Sequence, residues 1–132
     1  MLCLESSFLV DWFRGQEYAR TYLSGYDADT RVIVPTVVLH ELFVGALDTG
    51  AYPSAPGTVY EALDTTEFVG LTPSAAQEAA DIRVTLAERG NRINPFDALI
   101  AGIARDAGAT LVTADDHFDR VADLAVDNPR NE

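Results

Sequence analysis

Short apolar runs alternate with helix-length stretches from one end of the chain to the other, and this alternation constrains the fold more than any other feature. Leu2 to Leu4 reads as a buried strand. Ser6 is placed to cap a helix from Ser7 to Arg14 that Gly15 ends, and a second helical stretch covers Glu17 to Leu23. Arg31 to Val34 reads as the next strand, stopped by Pro35, with Thr36 capping a helix to Leu47. The stretch from Thr49 to Gly57, with Pro53 and Pro56, reads as a loop. A short helix from Thr58 to Leu63 then leads to a strand at Glu67 to Leu71. Pro73 opens a long helix to Arg89, closed by Gly90, and Asn94-Pro95 opens another to Ala107, closed by Gly108. Thr110 to Val112 is a strand, His117 to Val121 a helical turn, and Leu124 to Val126 a last edge strand. Such alternation predicts an α/β fold, a three-layer α/β/α sandwich with a central, mainly parallel sheet. One domain spanning residues 1–132 accommodates it.

The surface is set by charge. Twenty-one acids face nine bases, a formal net charge of -12, and every base is arginine. Acid excess around a normal core bears on solubility and association rather than on fold. It suits a halophilic, haloarchaeal cytoplasm, because molar salt shortens the Debye length to about 3 Å and crowded carboxylates stop repelling one another. The same charge argues against a standard nucleic-acid binder, which carries a basic face. An RNA substrate would need local neutralisation by a divalent metal or by a few arginines. No apolar run approaches the ~20 residues of a membrane span, and Met1 to Glu5 has no secretory character. Cys3 is alone, so no internal disulfide forms; set in an apolar run it reads as a small core residue in a reducing cytoplasm.

In a parallel sheet the site lies beyond the carboxyl ends of the strands. Those places hold Glu5 after the first strand, Glu41 in the helix after the second, Asp97 at a helix start, and Asp115 with Asp116 after Thr113. Each has an ordinary structural explanation. Glu5 can cap the first helix. Glu41 shares a helical stripe with Val37, Val38, Val44 and Gly45, and is costly there unless a metal or partner compensates, or unless the helix is rotated outward. Asp97 suits the positive end of its helix by itself, and Asp115 or Asp116 can form an Asx turn before His117. Taken together, four carboxylates on one sheet edge repel one another unless a cation joins them. Hard oxygen ligands fit Mg²⁺ or Mn²⁺, and metal-assisted phosphodiester hydrolysis is the reaction class. Asp115 is favoured as the ligand over Asp116.

Four segments carry a family resemblance: Cys3-Leu4-Glu5-Ser6-Ser7-Phe8-Leu9-Val10-Asp11, Leu39-His40-Glu41-Leu42-Phe43-Val44-Gly45-Ala46, Phe96-Asp97-Ala98-Leu99-Ile100-Ala101, and Leu111-Val112-Thr113-Ala114-Asp115-Asp116-His117-Phe118. In this order they resemble a PIN domain, and more narrowly the VapC toxins of type II toxin–antitoxin systems. The resemblance implies a Mg²⁺- or Mn²⁺-dependent endoribonuclease that dimerises and is neutralised by a VapB-like antitoxin. By position it implies that Glu5, Glu41, Asp97 and Asp115 form the acidic quartet, with Ser7 and Thr113 orienting it. One residue departs from the pattern, since the family's first acid is normally aspartate. The extra methylene of Glu5 shifts the carboxylate by roughly 1 Å, a displacement that can cost about 10²-fold in rate. It predicts weakened activity, whether the glutamate is native or was introduced to tame a toxic protein.

Of the two histidines, His40 points about 100° away from Glu41 on the helix and suits a surface role. His117, beside Asp115, is a candidate substrate contact. Asp11 and Arg14 share the polar face of the first helix with Ser7 as a solvated pair, from which Arg14 can approach phosphate. Trp12, Phe13 and Tyr22 are candidates for a dimer or antitoxin interface, or for simple burial. Two other readings stand beside the toxin: a housekeeping RNA-processing nuclease of the same family, and a module that only binds a partner, which Glu5 favours. A receiver-type phosphoacceptor also clusters acids on a parallel sheet, but it needs a lysine that this chain lacks.

Overall fold

A computed structural model describes residues 1–132. Five strands, β1 (Leu2–Leu4), β2 (Val32–Pro35), β3 (Glu67–Val69), β4 (Thr110–Val112) and β5 (Val126–Asp127), form one sheet in the order β3-β2-β1-β4-β5. Every neighbouring pair is parallel. Six helices connect them: α1 (Ser6–Phe13), α2 (Glu17–Ser24), α3 (Thr36–Thr49), α4 (Pro56–Ala62), α5 (Pro73–Glu88) and α6 (Pro95–Ala107). The α/β sandwich expected from the alternation is what forms. Parallel strands need crossovers, and each crossover helix lays its apolar stripe on the sheet.

The core follows from those stripes. Leu2, Cys3 and Leu4 on β1, Ile33 and Val34 on β2, and Leu111 and Val112 on β4 are all buried. They meet Phe8 and Leu9 of α1, Val38 and Leu42 of α3, and Ile100, Ala101 and Ala104 of α6. Cys3 is wholly buried in the central strand, as its apolar setting suggests, and burial pushes its thiol up to about 12. Helices α5 and α6 cross very closely. A Cβ built on Gly102 would lie 2.6 Å from the Ala79 Cβ and 2.7 Å from its backbone nitrogen, so only glycine fits there.

Several local expectations are corrected. Glu5, not Ser6, is the N-cap of α1, and its carboxylate accepts a hydrogen bond from the Ser7 amide. Pro35 ends β2 from inside the strand and is itself the N-cap of α3, so Thr36 is the first helical residue and makes no cap bond. Helix α4 starts two residues early, at Pro56, whose ring suits the first turn. The last strand is Val126–Asp127 rather than Leu124–Val126, because its register against β4 pairs Leu111 with Val126 and Val112 with Asp127. Helix α6 begins and ends as expected, capped by the Asn94 side chain on the Phe96 amide and closed by Gly108 at φ 65.

The strand order places the site. From β1 the chain steps outward through β2 to β3, then crosses back to lay β4 on the other flank of β1. The boundary between β1 and β4 is therefore the switch point of the sheet, where connections leave in opposite directions and open a crevice. Leu4 pairs with Val112 across it, so Glu5 and Thr113 are the first residues beyond the two strand ends.

Candidate active site

Glu5 lies at the base of the crevice and is 5% exposed. Burial raises its pKa, hydrogen bonds from Ser7 and Thr113 oppose the rise, and the charge of Glu41 adds to it. The compensating donors are specific. Thr113 Oγ1 donates to Glu5 Oε1 at 2.5 Å, the Ser7 hydroxyl donates to the same oxygen, and the Ser7 amide donates to Oε2 at 3.1 Å. Ser7 and Thr113 thus both hydrogen-bond the Glu5 carboxylate.

Glu41 comes from α3. The buried stripe of that helix is Val38, Leu39, Leu42 and Ala46, so Glu41 lies at its border and is half-buried, while Val44 is exposed. The apolar surround expected for Glu41 is therefore only partial. Its Oε1 accepts from the Ser6 hydroxyl at 2.5 Å, which joins α3 to α1. With Ser6, Phe13, Arg14, Gly45 and Tyr52 it lines a groove of about 250 Å³, and the open space beside Gly45 is part of it.

Asp97 occupies the first turn of α6 and is half-buried. Its pKa rises to about 6, first through burial, then through the charges of Glu5, Asp115 and Glu41, with His117 pulling the other way. The residue therefore feels all three other acids. The charge of Glu41 reaches Asp97, which puts the two on the same edge of the sheet rather than at opposite ends. Asp115 follows β4, where its amide donates to Thr113 Oγ1 at 3.0 Å and its Oδ1 caps the next 3₁₀ turn by accepting from the His117 amide at 2.9 Å. His117 Nδ1 lies 2.9 Å from the same oxygen, with most of the ring in solvent.

Other candidates separate from this group. Asp116 is exposed, and its Oδ1 accepts from Asn128 at 3.0 Å and Asn131 at 2.9 Å. Asp11 does not pair with Arg14: it accepts from the Tyr18 hydroxyl and lies 3.7 Å from Arg130, both brought in by tertiary structure. Arg14 is left exposed at the groove. His40 is exposed, as expected, and stacks on Phe96. Phe13 is buried, whereas Trp12 and Tyr22 are half-buried, Trp12 beneath the Arg20 guanidinium. Ser6, which holds Glu41, carries no distinguishing signal in the sequence; two adjacent hydroxyls at a helix start diverge, and only the tertiary placement of α3 shows which meets which acid.

The donor chemistry fits a hard divalent cation, and the charges of Glu5, Asp115 and Glu41 all act on Asp97. As the side chains stand, no three of them converge on one point at ligand distance. Magnesium does not need such a cage, since it usually takes one or two carboxylates, several waters and phosphate oxygens. Asp97 and Asp115 are the acids least engaged by hydroxyl donors, so they fit first contact with an ion, with Glu5 and Glu41 completing the field.

Comparison with known proteins agrees with this geometry. The PIN domain model matches residues 2–124. A curated tRNA(fMet)-specific endonuclease VapC from Shigella flexneri is 31% identical over 100 residues, covering 74% of this chain and 75% of the relative. Among solved structures, VapBC2 from Rickettsia felis bound to a promoter DNA fragment superposes with TM-score 0.86 at 21% identity, over 96% of each chain. FitAcB from Neisseria gonorrhoeae superposes with TM-score 0.84 at 22% identity over 100% of each. With an acidic crevice at the switch point of a parallel sheet and a family match over nearly its full length, this chain belongs to the PIN domain family.

Proposed function

We propose that this chain is a Mg²⁺- or Mn²⁺-dependent endoribonuclease, the toxin component of a VapBC-like toxin–antitoxin system. One observation carries the reading: Asp97, half-buried at the start of α6, is lifted to about 6 first by burial and then by the charges of three other carboxylates, Glu5 just beyond β1, Asp115 in the turn after β4 and Glu41 of α3. A fold keeps four acids in mutual repulsion where function requires it. The PIN family, and a curated relative named as a tRNA endonuclease, support hydrolysis of RNA as that function.

Glu5, Glu41, Asp97 and Asp115 are the residues proposed to hold the ion. When bound, it supplies positive charge against the scissile phosphate and lowers the pKa of water. The side chains contribute the rest. Ser7 and Thr113 hold Glu5 in place, and their hydrogen bonds partly offset the burial that raises its pKa. Asp97, at the start of α6, would help orient the attacking water, whose oxygen forms the new P–O bond as the bridging P–O bond breaks, its proton passing to solvent and the leaving oxygen taking one from solvent. His117 and Arg14, both exposed beside the acids, are proposed to meet the RNA, which a chain of net charge -12 otherwise repels.

Partners follow from the same relatives. A VapB-like antitoxin is the proposed inhibitor, because the superposed structures are of VapBC and FitAB-type assemblies. A homodimer is proposed as the working form, with the exposed Val84 of α5 and Phe96 of α6 as candidate contacts. No helix is long and apolar enough to cross a membrane; a cytoplasmic setting is proposed. A second reading, a module that binds partners without cutting, draws on the full engagement of Glu5 by hydroxyls.

The deciding experiment incubates the protein with total RNA and Mn²⁺ and maps the new ends. Discrete cuts that vanish with chelator and in Asp97→Asn are expected. Absence of both cuts and specific Mn²⁺ uptake by calorimetry supports the binding-only module, and cuts that survive chelation exclude the proposal.

A further inference from the structure

The turn that carries Asp115 is fastened from behind by the end of the chain. Three side chains within four residues reach it. Asn128 and Asn131 each donate a side-chain amide hydrogen to Asp116 Oδ1, at 3.0 and 2.9 Å, and Arg130 Nη2 donates to the carbonyl of Ala114 at 2.9 Å. Both neighbours of Asp115 are thereby held. The fastening segment is itself anchored: Pro129 is buried, Arg130 Nη1 lies 3.7 Å from Asp11, and the Tyr22 hydroxyl donates to Asp127 at 2.7 Å. The PIN match ends at residue 124, so the fastening residues 128–131 lie beyond the matched stretch while Ala114 and Asp116 lie within it.

We propose that residues 128–131 form a clasp that positions Asp115, with Asn128 and Asn131 acting through Asp116 and Arg130 acting through the Ala114 carbonyl. Of the four acids, Asp115 stands on a turn rather than on a helix or directly at a strand end, and its own bonds reach only Thr113 and His117. A ligand on a turn keeps its geometry only if the turn is restrained from outside, and loss of such outer partners typically costs about 10–100-fold in metal affinity or activity. Asp116 is then an anchor, not a ligand. The inference rests on the reading of Asp115 as part of the metal-holding set.

The test compares wild type with Asn128→Ala/Asn131→Ala, Asp116→Ala and Asp116→Asn. Mn²⁺ binding is measured by calorimetry, amide exchange at residues 115–117 by NMR, and melting temperature alongside. Asp116→Asn keeps an oxygen that accepts from both asparagines. The expected result is Mn²⁺ affinity about 10-fold weaker and faster exchange at 115–117 in the first two variants, with an unchanged melting temperature. Asp116→Asn should stay close to wild type in both measures. Equal loss in Asp116→Asn and Asp116→Ala makes Asp116 a ligand and overturns the clasp. Wild-type exchange in the double variant also overturns it, as does a loss matched by a lower melting temperature. Should wild type itself take up no Mn²⁺, the metal reading fails, and the exchange data alone decide the clasp.

Discussion

Thr113 Oγ1 donates to Glu5 Oε1 across 2.5 Å, joining the first residues beyond β4 and β1 at the switch point of the sheet. The same hydroxyl oxygen accepts from the Asp115 amide at 3.0 Å, so one threonine serves two of the four acids. Thr113→Val keeps the shape and removes both bonds. We expect a loss of about 1–3 kcal/mol at neutral pH, the usual cost of leaving a buried polar group without a partner. The loss should be smaller in acid, where Glu5 is protonated, and Thr113→Ser should recover most of it. Urea unfolding at two pH values measures this; identical stability of Thr113→Val and wild type would remove the role.

Glu5→Asp tests the departure from the family pattern. Glu5 folds back as the cap of α1 while accepting from Ser7 and Thr113, a geometry that uses its full length. Shortening it should bring the carboxylate to the family's usual position and raise Mn²⁺-dependent cleavage, by up to about 10²-fold if the present displacement is near 1 Å. Equal rates would show that the extra methylene is harmless.

The pH dependence of metal-free stability follows from Asp97. Its pKa stands at about 6 against an ordinary 3.8. An acid raised in the folded state favours the fold while protonated, so its contribution is complete below about pH 4 and is lost as pH rises through about 6. Asp97→Asn, fixed neutral, should therefore melt above wild type at neutral pH, and the gap should close toward pH 4. Calorimetric scans across that window check the sign, and a gap that widens in acid would contradict it. Saturating Mn²⁺ should raise the wild-type melting temperature more than that of Asp97→Asn, because binding only to the folded state stabilises it.

Gly102→Ala probes the crossing of α5 and α6. The added methyl would meet backbone atoms of Ala79 and Ala75 at 2.7 and 2.8 Å, which cannot rotate away. Overpacking of this kind costs about 1–3 kcal/mol, read as a lower denaturant midpoint. Because α6 carries Asp97, cleavage should fall as well.

Much of this was legible in the residues, and the divide between what was and what was not is physical. Helix α6 announces itself through Asn94, Pro95 and Gly108, since caps are local chemistry. The acids at strand ends are findable because a parallel sheet collects those ends on one edge. Contacts made across the fold are different. Helical spacing pairs Asp11 with Arg14, yet Tyr18 and Arg130 take it, and Arg130 is 119 residues away by the difference of their numbers. Ser6 on Glu41, and Asn128 with Asn131 on Asp116, depend on how separate elements meet and leave no periodic trace. The start of β5 lies two residues and its end one residue beyond the expected bounds for a related reason: an edge strand of two residues is set by its register against β4, not by its own pattern.

Cys3 has a practical corollary. The chain's sole sulfhydryl lies in the middle strand, hydrogen-bonded neighbours on both flanks, with no accessible surface. A labelling reagent can reach it only when the sheet parts at its centre, and then meets an ordinary thiol. The native molecule thus carries its own clock for global opening, readable without an added probe and at a position remote from solvent-exposed fraying.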